Sequence, residues 1–155
     1  MLVTSEYRAH YPYKDVVGVL TVCEGLTGSW IVPGKYYSDV ECTQRTRAYV
    51  TTMSTAMGHC VGALTEKQWI VWGHFTYNSG THGFCKSTAA KHLKAGNHVQ
   101  ACGQLMKWRF LTFPKYGRVD CAITANRKGP NRKNGCDGIM NRREFEYTMC
   151  MRAIE

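Results

Sequence analysis

Two carboxylates and a hydroxyl stand at fixed spacing near the start of this chain: Glu6, Asp15 nine residues on, and Thr21 six after that. Residues 6 to 28 read as a short connection, an apolar strand and a glycine-rich turn. Cleaving a glycosidic bond takes a carboxylic acid on the leaving oxygen and a carboxylate that manages water or developing positive charge. The two groups work from opposite sides of the sugar, so they come from different local elements. A strand beginning near Val16 alternates its side chains, and a hydroxyl at Thr21 would then face the cleft and hold a water. Each residue also has an ordinary reading. Glu6 is solvated near a chain end, Asp15 opens a turn, and Thr21 is a common strand residue. Singly those readings win; the joint spacing favours chemistry.

That spacing comes with Tyr13-Lys14-Asp15 before the strand and Gly18-Val19-Leu20-Thr21-Val22-Cys23 along it. Together they resemble the signature of the phage lysozymes (endolysins) of glycoside hydrolase family 24, lambdoid endolysin type. Phe75-Thr76-Tyr77-Asn78-Ser79-Gly80 and Phe84-Cys85-Lys86-Ser87-Thr88 resemble two further motifs of that family, and the likeness extends from about Glu6 to Cys150. The resemblance implies an α+β, lysozyme-like fold, with a small antiparallel sheet lobe, a mainly helical lobe and a cleft between them. It implies an N-acetylmuramidase that hydrolyses the β-1,4 bond between N-acetylmuramic acid and N-acetylglucosamine in bacterial peptidoglycan, for host cell lysis. Glu6 would be the general acid, Asp15 would position water or stabilise positive charge, and Thr21 would help hold the water. Tyr77 and Asn78 would line the sugar groove, Ser87 would touch substrate, and Arg142 matches an arginine bordering the cleft. No metal or organic cofactor is implied. Such a protein is phage-encoded and acts on the host wall, from the periplasm or outside, as a monomer and without a nucleic-acid partner.

Charge and composition agree with an anionic target. Twenty Lys and Arg against eleven Asp and Glu give a net charge of +9, and no acid stands between Glu66 and Asp120. A basic remainder facing a few early carboxylates suits nucleic acid, lipopolysaccharide or bacterial wall. At 155 residues the chain reads as one domain with a sizeable core. No run of apolar residues is long enough for a membrane span. Met1–Ser5 shows neither the basic start nor the apolar core of a signal peptide. Family members carry a helix before the catalytic glutamate, whereas only five residues precede Glu6, so that helix is trimmed or the start lies upstream.

The elements that must position these residues follow from turn and cap signals. Residues 10–37 form the sheet lobe, with strands expected over Val16–Cys23 and Ser29–Pro33. Ser38 and Glu41 make a capping box for a linking helix over 39–57, ended by Gly58. The helical lobe then covers 60–155. Thr65 and Gln68 cap its central helix, on which His74 reads as a core histidine. Ser87 or Thr88 caps a helix ending at Lys94, Asn97 caps one running from His98 to Phe110, and Asn141 opens the last. Residues 111–140, rich in Gly and Pro, read as a loop. Eight Lys or Arg against two Asp over 115–143 make it basic, a surface for anionic wall or outer-membrane components.

The eight cysteines lack Cys-x-x-Cys spacing, which disfavours zinc ribbons, and their even number suggests disulfides. Cys121 and Cys136 would clip the basic loop. Cys102 and Cys150 lie on helices that pack together in the family fold, so the resemblance pairs them, with Cys23–Cys42 and Cys60–Cys85 as the remaining pairings. Where the family shows Tyr-Gly-His after Cys23, this chain has Glu24-Gly25-Leu26. Glu24 adds a third carboxylate, one that either raises a neighbour's pKa or is merely exposed. That change keeps a second reading open, a lysozyme-like protein that binds wall polymer without cutting it. A third is a basic secreted ribonuclease working through histidines such as His10 or His98. Nothing resembles the ligand pattern of a zinc amidase.

Overall fold

The computed structural model describes residues 7–115, 117–128 and 135–155; Glu6, the expected acid, lies outside them. β1 (Ala9–Lys14), β2 (Leu20–Cys23) and β3 (Leu26–Thr27) form an antiparallel sheet in that order. Tyr13 faces Thr21 across the first pair, and Thr21 faces Thr27 across the second. The first strand thus precedes Asp15, and residues 16–18 are a turn instead of the start of a strand. Pro12 masks β1 in the sequence, yet it is tolerated because β1 is an edge strand with a register shift between Ala9 and Tyr13. Residues 29–33 form no strand either. Their donors find local partners: the Trp30 indole donates to Thr27 O (3.1 Å), and Val32 N–H donates to the Tyr37 hydroxyl (3.0 Å).

α1 (Asp39–Cys60) opens on the Ser38–Glu41 capping box, both halves of which are made. It runs through Gly58, its expected end, because the next turn still has work. Met57 is buried, Val61 N–H closes onto Met57 O, and Cys60 bonds Cys85. α2 (Glu66–Ser79) opens on the complete Thr65–Gln68 box. α3 (Thr81–Lys86), α4 (Thr88–Lys94) and α5 (His98–Leu105) follow. α5 stops short of Phe110, which instead begins β4 (Phe110–Phe113), paired antiparallel with β5 (Gly117–Asp120). After α6 (Thr124–Lys128), α7 (Asp137–Arg152) starts four residues before Asn141.

So much of the stretch expected as loop is a hairpin and a short helix. Pro114 and Gly117, which signalled loop, flank its turn, while Phe113 and Val119 bury themselves against Cys121, Cys136 and Met140. The main core lies in the helical lobe around Trp72, Phe75 and Phe84. A smaller one, with Val22, Leu26, Ile31 and Tyr37, fills the sheet lobe. No helix among the described residues is long and apolar enough to cross a membrane.

All four disulfides have the expected pairings: Cys23–Cys42, Cys60–Cys85, Cys102–Cys150 and Cys121–Cys136. Cys121–Cys136 closes fifteen residues beside the hairpin core. Replacing both by Ser should cost about 3 kcal/mol in a denaturant titration, the loop-closure entropy returned to the unfolded chain.

Arg109 joins the start of the hairpin to its end, donating to Asp120 at 2.9 Å. That bond, with a second from Ala122 N–H, holds the Asp120 carboxyl below the usual carboxylate range. A lowered folded pKa means stability that is complete above the unfolded value, about 3.9, and lost as pH falls through the folded one. Protection of the Val119 and Cys121 amides, taken against the intrinsic exchange rate at each pH, should therefore fall on acidification below pH ~4. In Arg109→Ala that acid-dependent step should shrink.

Candidate active site

Asp15 sits at the end of β1, where the chain must reverse into β2. Its carboxylate accepts from the backbone N–H of Val17 (3.0 Å) and of Val19 (2.8 Å). Asp15 N–H donates to Val19 O, and Gly18 N–H to Asp15 O; Gly18 supplies the positive φ the reversal requires. The turn fixes one face of the carboxyl and leaves the group half-buried at the rim of a depression of about 330 Å³. Gly25, Leu26 and Thr27 form one wall of that depression, and Tyr49, Tyr77, Asn78 and Gly80 the other. The cleft therefore lies between the sheet lobe and the helices α1 and α2.

The β4–β5 hairpin backs this turn. Val17 packs on the cluster of Phe113, Val119 and Cys136, Pro114 lies against Gly18, and Val16 reaches the backbone at Gly135. A Cβ on Gly135 would meet the Val16 side chain at 3.0 Å. The segment that reads as a clipped loop is thus a buttress for Asp15.

Of the residues the sequence singles out, Asp15, Tyr77 and Asn78 come together around one depression. Thr21, expected to face the cleft, does not line it: paired with Thr27 across the sheet, it is 3% exposed, with its hydroxyl donated to Val19 O at 2.9 Å. Ser87 is the N-cap of α4 and accepts from Ala90 N–H. Arg142 is half-buried on α7. Its neighbour Arg143 is buried, lies over the Phe75 ring at 4.7 Å and pairs with Glu146, which also holds His74 at 2.7 Å. His74 is a core histidine, as its place on α2 suggests. His10 stacks on Tyr36 and bonds Tyr37 O, while His98 begins α5.

Glu24 is neither exposed nor open to the cleft. It is 1% exposed and paired with Arg8, and it accepts from the Thr46 hydroxyl at 2.6 Å. Arg8 also reaches Asp39 (3.1 Å) and Thr43 (3.2 Å), and its pKa is raised by the hydrogen bonds to Asp39 and Glu24. The Tyr77 hydroxyl donates to Glu24 O at 2.6 Å, and Tyr49 packs edge-on against Tyr77. This cluster ties β1, the strand end and α1 to the floor of the cleft.

The sequence reading missed three features of the groove. Tyr49 lies on the inner side of α1, and a heptad-like pattern there could have found it. Arg45 is exposed but stacks on Trp30 at 4.4 Å. The pair lines a second depression of about 260 Å³ that shares Leu26, Thr27 and Tyr49 with the first. A third, of about 470 Å³, continues beyond Asn78 and Ser79 toward the hairpin. Nothing in a linear pattern links residues so far apart in the chain. Among the described residues no three His, Cys, Asp or Glu side chains group as metal ligands.

The family model for phage lysozyme matches residues 5–146. The SAR-endolysin of Escherichia phage Mu is 33% identical over 149 residues, covering 96% of this chain and 75% of that protein. The SAR-endolysin of bacteriophage PS119 is 31% identical, covering 90% and 72%. Among solved structures, the endolysin from Escherichia coli O157:H7 phage FAHEc1 superposes with a TM-score of 0.73 at 21% identity, covering 96% of this chain and 87% of that one. A P22 lysozyme mutant superposes at 0.65 and 19%, covering 97% and 92%.

Proposed function

From the premise that the chain belongs to the phage lysozyme family and is a peptidoglycan-degrading muramidase, a glycoside hydrolase, we propose how it works. Glu6 protonates the leaving oxygen of the β-1,4 bond after N-acetylmuramic acid. Asp15 positions the attacking water or stabilises positive charge at the anomeric carbon. Thr21 helps to hold that water, its hydroxyl keeping lone pairs free while it donates to Val19 O. Tyr77 and Asn78 hold the sugar, with Ser87 and Arg142 as outer contacts. The observation that carries this reading is the placement of Asp15. A carboxylate pinned by two backbone N–H groups sits at the rim of a groove walled by Tyr49, Tyr77 and Asn78. Family membership leaves the ribonuclease alternative without support.

The test is turbidity of permeabilised Gram-negative cells, wild type beside Glu6→Gln, with reducing ends assayed in the soluble fraction. Clearing and new reducing sugar from wild type alone is the expected result. Equal release by Glu6→Gln would remove Glu6 from the mechanism.

The protein acts on the host wall, and we place it in the periplasm or outside the cell, as a monomer. The basic hairpin region is its contact for anionic outer-membrane components. Part of that charge is already used, since Arg127 pairs with Asp137 and Glu144, and Arg143 with Glu146.

A further inference from the structure

One buried group of charges, where α2 meets α7, has no part in the mechanism above. Arg143 is 3% exposed and Glu146 1%; with Glu24 they are the buried charged side chains among the described residues. Arg143 Nη2 donates to Glu146 Oε1 at 3.0 Å, and its Nε stands 2.7 Å from Oε2. The same Oε1 lies 2.7 Å from His74 Nδ1 on α2, and the Arg143 guanidinium covers the neighbouring Phe75 ring. A buried pair of this kind is weak evidence for stability, since apolar side chains of similar volume commonly serve as well or better. Apolar packing does not supply a directional bond that fixes the rotation of one helix against another.

That bond ends on His74, whose backbone oxygen accepts from Asn78 Nδ2 at 2.9 Å. The contact turns the Asn78 amide so that its donor faces back along α2, which leaves Oδ1 to accept from a bound sugar. Asn78 lines the groove, whereas His74 and Glu146 do not. We propose that Glu146 is a positioning residue of the muramidase. Through His74 it sets the last turns of α2, and with them the direction in which Asn78 Oδ1 meets a donor on the substrate. The proposal rests on the reading of Asn78 as a sugar contact. A purely structural Glu146 would hold α7 on α2 and do nothing more.

The experiment measures kcat and KM for reducing-end release from solubilised peptidoglycan, with urea midpoints on the same preparations. His74→Phe leaves the Arg143–Glu146 pair whole and alters no side chain that lines the groove, but cuts the tie to α2. Its KM should rise roughly three- to tenfold, the share of one hydrogen bond, with kcat held. His74→Asn, whose side-chain amide can stand where Nδ1 stands, should restore most of the loss. Arg143→Met/Glu146→Leu removes both charges together, so its midpoint should stay near wild type or above it while its KM stays raised. Should that double variant fail to fold, His74→Phe decides the matter alone. Asn78→Ala should raise KM as far as His74→Phe does, and combining the two should raise it no further. A wild-type KM in His74→Phe, recovery of KM with stability in the double variant, or additive rises with Asn78→Ala would each make Glu146 structural only. A wild-type KM in Asn78→Ala would remove Asn78 as a sugar contact and the proposal with it, with cleavage still standing. Failure of wild type to release reducing ends would instead sink the muramidase reading beneath it.

Discussion

Asp15→Asn should fold as the parent does and lose cleavage of peptidoglycan by roughly 10²–10⁴-fold, the range for removing a positioned acid–base group. The two halves of that result have separate causes. The carbonyl of an asparagine still accepts from Val17 N–H and Val19 N–H, so the turn keeps its internal bonds. What is lost is the negative charge at the rim of the groove. Asp15→Ala removes both, and should lower stability by about 1–2 kcal/mol through the two orphaned donors as well as abolishing cleavage. The comparison needs reducing-end release and denaturant midpoints on the same preparations. If Asp15→Asn kept more than about a tenth of wild-type activity, its carboxylate would be a turn former and nothing else. Gly18 bears on the same point. Its φ of +87° is one that a side chain resists, so Gly18→Val should tilt the turn and depress activity with Asp15 still present.

What the linear chain reveals follows from how local each cause is. Ser38–Glu41 and Thr65–Gln68 are capping boxes because both partners lie within one turn, and both appear as read. The Glu6–Asp15–Thr21 spacing brought the family into view because all three lie within one short stretch of the chain. Helix ends were less legible. Gly58 looks like a stop, yet the buried Met57 and the Cys60–Cys85 bond carry α1 past it. β1 was hidden by Pro12, whose missing N–H matters little on an edge strand. The hairpin at Phe110–Asp120 was hidden by the Gly and Pro that build its turn. Its role as buttress depends on Val16 and Val17, almost a hundred residues earlier in sequence, and no local pattern encodes such a contact. Glu24 is the sharpest case. From sequence it is a third carboxylate near the expected site, and only the fold brings Arg8, Thr46 and Tyr77 around it.

That encirclement makes Arg8 the surface-proximal residue with the largest expected effect on stability. Glu24 is 1% exposed, and its compensation is Arg8 plus one hydroxyl. Arg8→Met leaves a buried carboxylate with Thr46 alone, a loss of about 3–5 kcal/mol. Glu24→Gln is different. Its amide oxygen still accepts from Thr46, its backbone oxygen still holds Tyr77, and Arg8 keeps Asp39 and Thr43, so about 1 kcal/mol should go. The asymmetry predicts the sign of the coupling: Arg8→Met/Glu24→Gln should be more stable than Arg8→Met alone, because the second change removes the stranded charge. Urea midpoints for the four proteins at neutral pH measure this. Independent, additive losses would mean that Arg8 stabilises by packing its stem and not by neutralising Glu24. Activity should track the same series, since Glu24 O orients the Tyr77 hydroxyl at the cleft floor. In Arg8→Met the carboxylate pulls toward water and takes that oxygen with it, so KM should rise. In the double variant, with no charge to pull, Tyr77 returns and KM should recover.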